Sequence, residues 1–178
     1  YIFGDILSMK QRVLSKWDRE QIKERKLEKS WIGKEIPLFH FRDIDGNLID
    51  SNTIKNKVVL IDFWFVQCFS CIGEMDKLNE LKKEYANKEI VFLSMTYEKE
   101  ESVRKFLKKR NFNYIHIPNA EKYISQFGYS YPKKILIDKQ GNIRSRMDEY
   151  GNPLAFYDGL DAKNIQMIKE DIAILLKE

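Results

Sequence analysis

The stretch Val58–Val66 reads Val-Val-Leu-Ile-Asp-Phe-Trp-Phe-Val, nine residues with one charged side chain, Asp62. β-Branched and aromatic residues fill it without polar alternation, which predicts a strand covered on both faces at the centre of a sheet. Such a sheet needs helices above and below it. Ile72, Met75, Leu78, Leu81 and Tyr85 recur at helical spacing over 69–85, and Val103, Phe106 and Leu107 anchor a charged helix over 100–109. A short helix over 121–127 and a closing helix marked by Ile165, Ile168, Ile172, Leu175 and Leu176 follow. Ile90–Met95 and Tyr114–Ile117 read as further strands. Leu38–Arg42 and Leu48–Asp50 flank Asp45-Gly46-Asn47 as a hairpin, and Ile135–Asp138 and Ile143–Met147 flank Gln140-Gly141-Asn142 as a second. The order is hairpin, βαβαβα, hairpin, α: an α/β fold with a mixed central sheet and helices on both faces.

Ahead of this domain Ile6, Met9, Val13 and Trp17 fall at helical spacing, with neither proline nor glycine between Asp5 and Ile32. Residues 6–29 are read as one amphipathic helix, ended by Gly33 and Pro37. Residues 1–30 thus form a helical arm and 31–178 the domain. The chain carries 31 basic and 27 acidic side chains, a net charge of +4. Residues 10–29 hold eight basic and four acidic side chains, so the whole excess belongs to the arm. The body offers no electrostatic case for nucleic acid. The arm's excess suits an anionic membrane surface, although mixed charge on a solvated helix accounts for it as well. A chain that begins at Tyr1, without methionine, is expected to be processed or trimmed, so a signal or anchor ahead of it is left open.

Both cysteines lie in Cys68-Phe69-Ser70-Cys71, where the central strand ends and a helix begins. A helix N-terminus presents free N–H groups and partial positive charge, which stabilise a thiolate. Two intervening residues let the sulfurs meet across the first turn, so one thiol attacks and the other resolves the mixed disulfide. Asp62, alone in an apolar strand, is costly to ionise; its pKa should rise, which suits proton transfer near neutral pH. Glu74 lies three residues after Cys71 on the same helical face.

Tyr129-Ser130-Tyr131-Pro132-Lys133-Lys134-Ile135-Leu136-Ile137-Asp138 puts a proline at the mouth of a strand. With Val58–Trp64 and the cysteine pair, this pattern resembles the thioredoxin superfamily, and within it the TlpA/ResA/DsbE-type branch related to AhpC/TSA redoxins. The likeness runs over about residues 31–178, from Ile32-Gly33-Lys34-Glu35-Ile36-Pro37 to the hairpin at 135–143. It implies a thioredoxin-like fold and a thiol-disulfide oxidoreductase acting on protein disulfides with a thiol-disulfide redox partner. It implies Cys68 as attacking thiol, Cys71 as the more buried resolving thiol, Asp62 as the buried acid and Glu74 as the acidic position of the ResA-like members. Pro132 matches the family's cis-proline, Tyr131 the residue whose backbone pairs with substrate, and Trp64 the tryptophan near the site. Phe69, Tyr129 and Tyr131 suggest an aromatic rim for an apolar peptide. Gln67, Phe69-Ser70 and Tyr131 depart from the family's tryptophan, Gly-Pro and small residue, positions that tune potential and partner choice. No cofactor and no metal are called for, and a monomer is expected. The likeness points to a periplasmic or membrane-anchored, extracytoplasmic setting, with the cytoplasm left open.

Three alternatives stand beside this. Half a zinc site needs two more ligands, and His40 and His116 form no ligand-spaced pair; both are read as satisfied strand residues. A peroxiredoxin-type peroxidase places proline and threonine seven and three residues before its cysteine, where this chain has Ile61 and Phe65. A thioredoxin-like binding module whose cysteines no longer cycle also fits the unusual Gln67–Cys71 sequence.

Overall fold

A computed structural model describes residues 15–147 and 153–178. Four strands form the central sheet: β3 (Val58–Phe63), β4 (Ile90–Met95), β5 (Ile115–Ile117) and β6 (Lys133–Ile137), in the spatial order β5-β4-β3-β6. β4 runs parallel to β3 and to β5, whereas β6 is antiparallel to β3. All six residues of β3 are buried, as an apolar strand without alternation requires. Its side chains still alternate between two cores. Val59, Ile61 and Phe63 meet Tyr123, Ile124 and Phe127 of α4 (Glu121–Ile124) and the 3₁₀ turn Ser125–Phe127. Val58, Leu60 and Trp64 meet α2 (Phe69–Glu84), α3 (Glu100–Leu107) and α5 (Ala162–Leu175). Ile61 is fully buried between close neighbours, so Ile61→Val should lower stability by about 0.5–1.5 kcal/mol, read as a lower urea midpoint with an unchanged slope.

The register decides where the chemistry gathers. Phe63 pairs with Met95 on one side and Lys133 on the other. The carboxyl ends of β3 and β4 and the amino end of β6 therefore meet at one edge of the sheet, with Cys68, Tyr97 and Pro132 on the adjoining loops.

The first hairpin pairs β1 (His40–Arg42) with β2 (Leu48–Asp50). It starts two residues later than expected, and Leu38 is exposed. The second hairpin is shorter than the turn suggested. Ile143 makes one bridge to Ile137, and the Arg144 N–H donates to the Leu136 carbonyl. Beyond that, Tyr157 takes the edge of β6 by exchanging two hydrogen bonds with Lys134, both 2.9 Å. Arg146–Met147 (β7) pairs instead with Pro153–Leu154 (β8).

The arm forms α1 (Lys16–Trp31), and Ile6, Met9 and Val13 lie outside the described residues. Ser15 and Asp18 close a reciprocal capping box at its start. Trp17 is 69% exposed, so it is not on a packed face. The docking face is Glu24, Glu28 and Trp31, one turn apart in succession. The Trp31 indole N–H donates to the Gln126 carbonyl at 3.0 Å, and the ring lies 4.8 Å from that of Phe127.

Candidate active site

Cys68 is the N-cap of α2, and its sulfur accepts the Cys71 N–H at 3.2 Å. The two cysteines form a disulfide with their Cα atoms 5.2 Å apart. Cys68 is 5% exposed and Cys71 1%. The extended N-cap at the β3–α2 turn aims the Cys68 sulfur at the unpaired N–H groups of the first turn. Phe69, between them, is 88% exposed, and Gln67 and Ser70 are exposed as well.

Asp62 faces the α2 side of the sheet and is 1% exposed. Neither carboxylate oxygen accepts a hydrogen bond. Lys134, its cross-strand partner on β6, holds its ammonium 3.8 Å from Asp62 Oδ1 and donates to Glu74 Oε2. The same Glu74 carboxylate accepts the Leu160 N–H through Oε1 at 2.6 Å. One fully buried lysine thus joins two carboxylates. Burial pushes the Asp62 carboxyl up to about 7; Lys134 opposes the rise and the Glu74 charge adds to it. Glu74 does lie on α2 near Cys71 in sequence, but its side chain is engaged by Lys134 and the loop before α5.

Lys134 was missed in the sequence. Its signal was a lysine at the head of the apolar run Ile135-Leu136-Ile137, on a strand able to pair with the one carrying Asp62. Phe65 and Tyr97 were missed too. The Tyr131 ring packs edge-on to Phe65 at 5.2 Å and to Tyr97 at 6.5 Å, and Phe65 stacks on Tyr97 at 5.6 Å. Tyr129 and Phe69 are exposed, whereas Tyr131 is partly covered and its hydroxyl is buried without a partner. Burial pushes the Tyr131 phenol well above its ordinary range. The Tyr131–Pro132 bond is cis.

Trp64 is fully buried between Phe106 and Phe112, with ring centroids 5.0 and 6.0 Å away, and its ring presents no surface to solvent. His116 is a satisfied strand residue. Its Nε2 lies 2.8 Å from the Phe112 carbonyl, which only accepts, so Nε2 donates and Nδ1 accepts from Ser94 Oγ at 2.6 Å. Burial lowers its pKa, which keeps that ring neutral.

Residues 32–146 match the AhpC/TSA family. The chain belongs to that family. Within it, this redoxin is 31% identical over 119 residues to the thiol-disulfide oxidoreductase ResA of Bacillus thuringiensis strain Al Hakam, spanning 65% of this chain and 69% of that one. It is 29% identical over 125 residues to the thiol:disulfide interchange protein DsbE of Vibrio cholerae, spanning 68% and 67%. Its fold superimposes on the thioredoxin domain of a Bacteroides vulgatus thiol-disulfide oxidoreductase with a TM-score of 0.65 at 20% identity, over 79% of this chain and 97% of that one. The redoxin is of the TlpA/ResA/DsbE type, a thiol-disulfide oxidoreductase with a thioredoxin-like fold.

Proposed function

We propose that Cys68 and Cys71 exchange a dithiol for a disulfide with protein substrates, Cys68 as nucleophile and Cys71 as resolving thiol. In the reducing direction the Cys68 thiolate attacks a substrate sulfur, forming a mixed disulfide and releasing the first substrate thiolate. The Cys71 thiolate then attacks Cys68, forming the Cys68–Cys71 disulfide and releasing the second. Two electrons pass to the substrate, and a dithiol redox partner returns the pair to its reduced form. The observation that carries this reading is the position of the pair: Cys68 caps a helix where thiolate charge is favoured, and Cys71 lies one turn inward. Asp62 accepts the Cys71 proton, and its carboxyl, titrating at about 7, is poised for that transfer. Tyr131 and Pro132 form the docking loop for an extended substrate, with Phe69 as an exposed apolar contact.

The extracytoplasmic setting is part of the same proposal. It is supported by the likeness to ResA and DsbE and by the basic excess of residues 10–29, with α1 as the spacer to a tether. No described helix is long and apolar enough to cross a membrane. The domain, 31–178, acts as a monomer with residues 1–30 as its arm.

The test is insulin reduction with dithiothreitol as reductant, combined with stopped-flow resolution of the mixed disulfide. Asp62→Asn is expected to slow resolution by about a hundredfold, more than it slows the first attack. Glu74→Gln is expected to do less, because Lys134 and the Leu160 N–H already engage that carboxylate. If neither variant changes the rate or its pH profile, Asp62 is not the proton acceptor. A wild-type protein inactive on every disulfide offered would favour the non-cycling binding module.

A further inference from the structure

The residues matched to the family begin at 32, so α1 lies outside the matched stretch. It buries no residue of its own, and the face that joins it to the body is Glu24, Glu28 and Trp31, two carboxylates and a ring packed on Phe127. Glu28 accepts the Ala155 and Phe156 N–H groups, both at 3.1 Å. Glu24 reaches the docking loop. Its Oε1 accepts the Tyr129 N–H at 3.3 Å, and its Oε2 accepts the Ser130 hydroxyl at 3.4 Å. Oε2 also lies 3.7 Å from Lys133 Nζ. A single carboxylate therefore brackets the Tyr131–Pro132 bond, holding two residues before it and one after it.

Two further features record how closely the loop and this carboxylate approach. Gly128, at φ +83°, approaches so closely that a Cβ there would stand 2.8 Å from Glu24 Oε1. The Lys133 ammonium, 1% exposed, has Glu24 as its one ion-pair partner within 4 Å among the described residues; its other contacts are the Phe127 carbonyl and the face of Phe156 at 4.9 Å. Glu28 and Asp158 act on Lys133 from farther away.

We propose that α1 is a strap that fixes the docking loop, with Glu24 as its positioning residue. With the strap seated, residues 128–133 are ordered before substrate arrives, so binding costs little loop entropy. With the strap lifted, the loop must be ordered by the substrate itself, and affinity for an extended protein disulfide falls. The cysteine chemistry, carried by α2 and β3, is untouched. This inference rests on the docking role proposed above for Tyr131 and Pro132.

The experiment compares Glu24→Ala, Glu24→Gln and Pro132→Ala in the full chain, on insulin and on the small disulfide DTNB. Glu24→Ala is expected to raise KM for insulin about tenfold, the scale of ordering one loop, with kcat and the DTNB rate unchanged. Glu24→Gln keeps an acceptor for the Tyr129 N–H and should recover part of the loss. Hydrogen exchange at the Tyr129 amide should accelerate in Glu24→Ala while the amides of β3 hold. An unchanged insulin KM in Glu24→Ala overturns the strap, whether or not the Tyr129 amide loosens. Should Glu24→Ala fail to fold, Glu24→Gln with the same exchange measurement decides: unchanged KM and unchanged exchange overturn the strap. Pro132→Ala separates the two levels. A raised KM there beside a silent Glu24→Ala removes the strap and keeps the docking loop, whereas a silent Pro132→Ala removes the docking loop itself.

Discussion

Replacing Cys68 with serine should abolish disulfide exchange, and replacing Cys71 with serine should accumulate mixed disulfides through Cys68. Only a thiolate attacks a disulfide, and a helix N-terminus favours thiolate at the sulfur that caps it. Cys68 occupies that position, accepting the Cys71 N–H, whereas Cys71 lies inside the first turn and is almost fully covered. With Cys71 removed, Cys68 still attacks and nothing within the chain releases the adduct, because these are the only two cysteines. Non-reducing electrophoresis and mass mapping of the trapped species read the outcome. Faster alkylation of Cys71 than of Cys68 in the native reduced protein would reverse the two roles.

Asp62→Asn should stabilise the oxidised protein by up to about 4 kcal/mol at pH 8, and the gain should vanish towards pH 4. The sign follows from the direction of the shift. Burial raises the carboxyl from 3.8 to about 7, so the folded state prefers it protonated while the unfolded chain ionises it. Below the unfolded value both states are protonated and nothing is lost. As the pH climbs towards the folded value, the native protein bears a growing cost, complete once Asp62 is ionised in both states. The charged groups acting on Asp62 across this range are Lys134 on β6 and Glu74 on α2. Asparagine removes the titration, and Lys134 keeps Glu74 as its partner. Urea unfolding at pH 8 and pH 4, with the disulfide intact, gives the comparison. Equal stability of wild type and variant at both values would show that Asp62 is hydrated or fully compensated in the folded protein. A variant more stable yet slower in resolution would mark Asp62 as a group held at a cost to stability.

The strands and helices of the domain were legible because each has one dominant period. Val58–Phe63 has no polar alternation and became the central strand. Residues 69–84 repeat their apolar positions every three or four residues and became α2. The second hairpin misled because a Gln-Gly-Asn turn between two apolar runs states that they are adjacent, not how far they pair. The edge of β6 had two claimants, and Tyr157, about twenty residues downstream, took its amino end while Ile143 and Arg144 kept its carboxyl end. The contacts of α1 had no local signal at all. Of the apolar spacing at Ile6, Met9, Val13 and Trp17, only Trp17 lies within the described residues, and it is exposed. The helix is joined to the body by Trp31 against Phe127, by Glu28 on two backbone N–H groups, and by Glu24 on the Tyr129 N–H, the Ser130 hydroxyl and the Lys133 ammonium.

Local chemistry alone determined the cysteine pair at the mouth of a helix, the solitary acid in the central strand and the proline before the last long strand. Each is a residue whose meaning depends on its immediate neighbours in sequence. Tertiary structure decided which groups would touch them. Asp62 meets Lys134 because an antiparallel register sets them opposite each other, and Glu74 meets the same lysine because α2 crosses that face. Trp64 is buried while Phe69 is exposed because the chain reverses between β3 and α2. Glu24 reaches the loop before Pro132 across more than a hundred residues of chain. Contacts of that separation depend on packing and register, for which no periodicity in the sequence carries a signal.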